Sequence, residues 1–333
     1  MKAVITVILL VTATVGLLAY QQGIIGHSSA PAVAKVSPAS RGTLDLGVTT
    51  GPLAQNWWRP WEQADLSTVR TFESEAGKPA AIVMWYADWQ HNRLPLVSQL
   101  NAIARRGSVP EITWEPWDAS KGLYTKQPRY QLRNIIDGKF DVYIRAWARS
   151  LAAWKQPVLL RFAQEADGDW FPWADYANGN HAGEFVAAWR HVHRIFDQAG
   201  ATNVEWVWSP AFASSEVFPG IGYVDVMATT CQNGGKQLFA RGWQSFAQGC
   251  GKSIQRLHAL APALPIQLAE TSSAEAGGSK AQWIEQMFTY LAHHPEVKSV
   301  IWFNLVKETN WRIDSSPSAE RAFAAGARAA WVT

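Results

Sequence analysis

The chain is short of several things that mark large function classes. It has only two cysteines, and its eight histidines are scattered. No His/Cys cluster has the spacing of a zinc site, and His191 and His193 stand two apart on an expected helix, so they point to different faces. Net charge is small, +3 over 333 residues. There is no Lys/Arg stripe of the kind that holds a phosphate backbone, so no nucleic-acid partner is expected. A Gly-x-Gly-x-x-Gly fingerprint is missing, which argues against a dinucleotide fold, and no cofactor is expected. Apolar and charged fractions are those of an ordinary globular protein.

What is abundant is tryptophan, 19 residues. Indole rings are large and rigid, with apolar faces and a polar edge, and they suit the C–H faces of a polysaccharide. The plainer reading for any one of them is core packing.

Lys2 precedes an apolar run from Ala3 to Ala19 broken only by Thr. It is long for a signal peptide core and borderline for a membrane span, which needs about 20 residues. Ala32-Val33-Ala34 has the small-x-small pattern of a cleavage site, at some distance from the run. Residues 1–20 therefore read as a signal peptide or an N-terminal membrane anchor. Residues 21–43, rich in Ser, Ala, Gly and Pro, read as a flexible linker, and residues 44–333 as one domain. Either fate of the N-terminus places the domain outside the cytoplasm, secreted, periplasmic or tethered; a monomer is expected. Cys231 and Cys250 fall in one polar, Gly-rich stretch, and a disulfide there would close a loop of about twenty residues, contributing roughly 3 kcal/mol. Two unpaired thiols are the alternative.

From residue 44 onward apolar runs of strand type alternate with amphipathic stretches. The runs cover 44–49, 80–86, 109–114, 157–162, 204–208, 223–228, 264–269 and 297–304. Helical patterns cover 94–106, 141–154, 183–199, 243–260, 280–293 and 317–329. Near-continuous apolar strands alternating with helices indicate a parallel sheet covered on both faces, and eight repeats indicate an α/β fold closed as a (β/α)8 TIM barrel. Residues 211–222, between the fifth and sixth runs, are too few for a full helix, and a doubly wound open sheet is the alternative.

Active sites of such barrels lie at the C-terminal ends of the strands. Asn56-Trp57-Trp58-Arg59-Pro60-Trp61 follows the first run, Trp114-Glu115 ends the third and Arg161 to Glu165 the fourth. Trp208 ends the fifth, Glu270 the seventh and Trp302-Phe303-Asn304 the eighth. Glu165 and Glu270 thus come from roughly opposite strands. Two carboxyl groups across a glycosidic bond, one protonating the leaving oxygen and one attacking the anomeric carbon from about 5 to 5.5 Å away, constitute a retaining glycosidase. The plainer reading of either glutamate is a loop cap or salt-bridge partner.

Ile112-Thr113-Trp114-Glu115-Pro116-Trp117, the stretch from Arg161 through Glu165 to Trp170-Phe171-Pro172-Trp173, Trp208-Ser209-Pro210 and Gln267-Leu268-Ala269-Glu270 resemble glycoside hydrolase family 26, in order over most of residues 44–310. That family holds β-mannanases with some mixed-linkage β-glucanases and β-1,3-xylanases. The resemblance implies Glu165 as acid/base and Glu270 as nucleophile. It implies Trp302 as floor of the cleavage subsite, Arg161 as a hydrogen-bond donor near the nucleophile, and Trp170 and Trp173 beside the acid/base. Trp114 and Trp208, at strand ends, join the expected substrate-binding set, and rings of Phe162, Trp170 and Phe171 are expected to desolvate Glu165. Two departures stand out. Gln164 occupies the place of a His before the acid/base, where its amide could donate to a sugar hydroxyl. Thr229-Thr230-Cys231-Gln232 replaces an Asp and Tyr after strand six. The resulting expectation is a retaining endo-β-glycanase acting on a β-linked polysaccharide: mannan, β-glucan or a bacterial exopolysaccharide. A catalytically silent carbohydrate-binding barrel and a transglycosylase are the alternatives.

Overall fold

A computed structural model describes residues 42–51, 66–91 and 93–333. The expected targeting segment 1–20, nearly all of the linker 21–43 and the aromatic run 56–61 lie outside the described residues. Among the described residues no helix is long and apolar enough to cross a membrane.

The eight expected strands form and close on themselves. They are β1 (Asp45–Thr49), β2 (Ile82–Asp88), β3 (Val109–Glu115), β4 (Val158–Phe162), β5 (Val204–Trp208), β6 (Val226–Asn233), β7 (Ile266–Ser273) and β8 (Val297–Phe303). All pair in parallel in chain order, and β1 returns to β8 from Asp45↔Ser299 to Thr49↔Phe303. This is the (β/α)8 barrel, and the open-sheet alternative is set aside by the β1–β8 pairing.

The helices are α1 (Ser67–Ala76), α2 (Val97–Ala104), α3 (Leu132–Ile136), α4 (Asp141–Trp154), α5 (Glu184–Gln198), α6 (Gly235–Leu238), α7 (Phe246–Leu260), α8 (Lys280–Ala292) and α9 (Pro317–Ala327). The six expected helical stretches are α2, α4, α5, α7, α8 and α9. Serines begin the last three: Ser245 with Gln248 makes a capping box, Ser279 accepts from the Gln282 N–H, and Ser316 precedes Pro317 at the first helical position. Helix α1 carries a thin apolar stripe, Val69, Phe72 and Ala76, which is why its pattern is weak in sequence. Between β5 and β6 stand two 3-10 turns, Ser215–Val217 and Ile221–Tyr223, in place of an α-helix.

Alternation along each strand divides its side chains between two environments. The lumen holds a small apolar layer: Ile82, Met84, Leu159, Val207, Ala228, Ala269 and Ile301. Gly47 of β1 completes it, because a Cβ there would fall 2.3 Å from Ile301 Cδ1. The opposite faces pack on the helices in the larger core, where most of the tryptophans lie. Above the apolar layer the lumen turns polar, and several strands run past the apolar segments that announce them. β6 and β7 continue as Thr-Cys-Gln-Asn against Thr-Ser-Ser, their backbones still paired from Thr230↔Glu270 to Asn233↔Ser273.

Candidate active site

Strand β4 puts Arg161 in the lumen and then turns sharply. Ala163 and Glu165 both have left-handed backbone conformations, φ 47° and 58°. Non-glycine residues there cost roughly 1–2 kcal/mol each. The turn is tied down by the Ala163 N–H donating to the Trp114 carbonyl (3.1 Å) and the Glu165 N–H to the Ser209 carbonyl (2.7 Å). Its product is a Glu165 carboxyl at the mouth, fixed from both sides: Thr230 Oγ1 donates to Oε1 and Trp170 Nε1 to Oε2 at 2.9 Å.

Strand β7 delivers Glu270 through a bulge. Thr229 pairs with Leu268 and Thr230 with Glu270, so Ala269 is an extra residue. Ala269 lies in the lumenal layer and Glu270 follows it on the same side, as a bulge allows. Glu270 Oε1 accepts from Arg161 Nη1 at 2.7 Å, and Arg161 is fully buried. Burial alone would weaken the guanidinium's hold on its proton, but Glu270, Tyr86 and Glu165 around it raise its pKa above the ordinary value. Tyr86 of β2 stands beside Glu270. Its hydroxyl is pushed well above the usual range, by burial first and by the charge of Glu270 second.

The two glutamates therefore differ in environment. Glu270 has a buried cation in contact. Glu165 is raised above the ordinary carboxyl range, chiefly by burial and then by the charge of Glu270; bonds from Thr230 and Trp170 and the charge of Arg161 only partly offset this. Thr230 joins them structurally, since it bonds Glu165 and is the register neighbour of Glu270. It also belongs to the segment Thr229-Thr230-Cys231-Gln232 that stands in place of the expected Asp and Tyr, and it supplies a hydroxyl donor there.

Gln164 turns to β3. Its Nε2 donates to Glu115 Oε1 at 2.5 Å, while Trp117 Nε1 donates to Glu115 Oε2 at 3.1 Å. Below them Gln267 Nε2 donates to Glu111 Oε2 at 2.6 Å. Both buried glutamates are pushed up by desolvation, Glu111 to about 7 and Glu115 to about 8. Glu111, Glu115, Tyr86 and Thr230 are members of this lumenal network that the sequence reading did not single out. Their signal was available, since alternation puts Glu111, Thr113 and Glu115 on one face of β3.

Four expected substrate-binding tryptophans are corrected, three of them by the same parity. Trp302 alternates with the lumenal Ile301 and so faces outward. It is fully buried, packs on Trp283 of α8 and Phe323 of α9, and donates from Nε1 to the Trp311 carbonyl at 3.1 Å. Trp114 faces outward against Trp147 of α4 and Phe196 of α5. Trp208 does so against Phe218. Phe162, expected beside Glu165, packs outward on Trp189. Trp173 sits inside the β4–α5 loop, stacked on Phe171 at 4.3 Å with its Nε1 on the Gln164 carbonyl at 2.7 Å. It holds the Glu165 turn from behind and has no exposed face. Among the described residues, Trp170 is the expected tryptophan that touches a candidate catalytic group.

Asp88, His91 and Asp118 bring ligand atoms within 4.8 Å of one another. Asp88 is already engaged by His91 Nδ1 and by the backbone N–H groups of His91 and Ala119, so the cluster ties loops at the rim. Cys231 of β6 and Cys250 of α7 form a disulfide, Cα atoms 5.5 Å apart.

Residues 111–235 match the model of glycosyl hydrolase family 26. Endoglucanase H of Acetivibrio thermocellus is 34% identical over 272 residues, which is 78% of this chain and 29% of that protein. The chain thus spans under a third of the length of that relative. Among solved structures, a mannanase from Bacillus subtilis superposes with a TM-score of 0.61 at 17% identity, covering 89% of this chain and 88% of that one. A GH26 β-mannanase from Bacteroides ovatus gives 0.63 at 15% identity, covering 89% and 91%. At such identities the structures speak for the fold. Taken with the family model and the sequence relative, they bear out the resemblance to glycoside hydrolase family 26 carried by the motifs of β3, β4, β5 and β7.

Proposed function

We propose that the chain is a retaining endo-β-glycanase that cleaves a β-linked polysaccharide, with Glu165 as acid/base and Glu270 as nucleophile. The observation that carries the reading is the unequal pair at the mouth: one carboxylate in contact with a buried arginine, the other desolvated and held up by its neighbour's charge. A carboxyl that holds its proton above the ordinary carboxylate range can give it to the glycosidic oxygen while Glu270 attacks the anomeric carbon. Once Glu270 is esterified its charge is gone, and the repulsion that raised Glu165 goes with it. Glu165 then falls toward the ordinary range and can take a proton from water, which releases the sugar. The name of the sequence relative favours a β-glucan and the titles of the structural neighbours a mannan, so both head the substrate list. The disulfide and the apolar N-terminal run support a place outside the cytoplasm.

The test uses an activated dinitrophenyl β-glycoside of the cleaved sugar. Glu165→Ala should retain the first step, because the leaving group needs no acid, and azide should restore turnover. Glu270→Ala should form no glycosyl-enzyme with any leaving group. Equal loss in both variants, with azide rescuing neither, refutes the assignment; loss of all hydrolysis in the wild type on glucan and mannan panels refutes the activity.

A further inference from the structure

The pair Glu115–Gln164 has a feature that catalysis by Glu165 and Glu270 does not use. Gln164 immediately precedes the acid/base and is buried at the mouth end of β4. Its Nε2 is committed to Glu115, and its Oε1 is a buried acceptor with no hydrogen-bond partner. Both oxygens of Glu115 accept N–H donors, from Gln164 and from Trp117. An ionised carboxylate has only acceptors, so it holds the NH2 end of the amide toward itself and leaves Oε1 over. A proton on the oxygen that faces Gln164 would reverse this. The O–H would then donate to Gln164 Oε1, Trp117 would still be accepted by Oε2, and the NH2 would be the end left over. Each arrangement satisfies Glu115 fully, and only one of them can hold at a time.

We propose that Glu115 is a positioning residue for sugar recognition, setting which end of the Gln164 amide faces the sugar beside Glu165: the carbonyl when Glu115 is charged, the NH2 when it carries a proton. The charged form selects a substrate hydroxyl that donates, the protonated form one that accepts. Titratable groups around Glu115 are Asp88 and Tyr86 on β2 and Glu270 on β7; the two carboxylates discourage its charge, after burial, which is the largest influence. Together they push it up to about 8, so the exchange falls close to neutral pH. The inference rests on the reading of Glu165 as the residue at the cleavage point, but its test reads affinity and needs no turnover.

The probes are thio-linked, uncleavable gluco- and manno-disaccharides in which single hydroxyls are replaced by hydrogen or by fluorine. Fluorine accepts weakly and cannot donate. Affinities are measured by calorimetry at about pH 6 and about pH 9.5, on either side of the exchange, and compared as the fluoro-to-deoxy ratio at each position. At one ring position the fluoro compound should bind about threefold or more better than the deoxy compound at the lower pH, the size of one neutral hydrogen bond, and no better at the higher pH. Glu115→Gln, which cannot titrate, should make the ratio at that position independent of pH. Glu111→Gln, the same change on the deeper Glu–Gln pair, should leave the pH dependence in place. A wild-type ratio equal at both pH values at every position overturns the proposal, and so does a pH dependence that survives Glu115→Gln. General loss of hydrolytic activity with this pattern intact would count against the proposed reaction and leave the recognition device standing.

Discussion

Thr230 lies in the segment where the chain departs from the family pattern and touches Glu165, the proposed acid/base, so its removal is informative. Thr230→Val keeps the shape and the β-branched side chain that suits β6, and takes away only the hydroxyl that donates to Glu165 Oε1. That bond favours the charged form of Glu165, against burial and against Glu270. A hydrogen bond to a charged group contributes about 1.5–3 kcal/mol, and 1.36 kcal/mol is one pKa unit. Glu165 is partly open to solvent and keeps the bond from Trp170, so the lower end applies, about one unit upward. The acid must be protonated to work. Its loss of a proton sets the alkaline limb of kcat/KM, and that limb should move about one unit to higher pH in the variant while the acidic limb stays. The assay is the pH profile of kcat/KM on a substrate with a poor, alkoxide-like leaving group, where acid catalysis is required. The same profile on a dinitrophenyl glycoside should lack the shift. An alkaline limb that stays in place, or moves down, would refute the argument that Thr230 tunes Glu165.

Two further outcomes test the placement of other residues. Trp302→Ala should cost about 3–5 kcal/mol in denaturant unfolding, as for a buried aromatic between sheet and helices, with the kcat/KM of the folded protein within about twofold of wild type; a tenfold kinetic loss at unchanged stability would return Trp302 to the sugar site. Reducing the Cys231–Cys250 bond, or replacing both cysteines by serine, should lower stability by about 3 kcal/mol, read from urea unfolding as a lower midpoint.

Much of this was legible in the residues because barrel strands are short apolar runs that end where the chemistry begins. All eight were visible, and so was the convergence of Glu165, Glu270 and Arg161 on one mouth, because β4 and β7 end there. The tryptophans were not readable in the same way. Trp114, Trp208 and Trp302 are at the ends of strands, but position along a strand says nothing about which face a residue takes; the lumenal neighbours Thr113, Val207 and Ile301 decide that. Trp173 shows a second limit, since a loop aromatic beside the acid/base can as well support the turn from behind as line the groove. The bulge at Ala269 broke the alternation of β7, so counting from Gln267 alone would have sent Glu270 outward. Thr230 looked like a loss in sequence because the expected residues were missing; only the register of β6 against β7 shows that a hydroxyl at that point reaches the acid/base.

The outward tryptophans also give the molecule an optical asymmetry. Trp114, Trp147, Trp189, Trp208, Trp283 and Trp302 are all shielded between the sheet and its surroundings, so their emission belongs to the dry interlayer and reports its integrity. Trp170 is different: it is partly exposed, and its indole N–H ends on the Glu165 carboxyl, which the proposed mechanism takes through a change of charge. Under that mechanism, light from Trp170 carries the protonation state of Glu165, while the buried tryptophans report the scaffold.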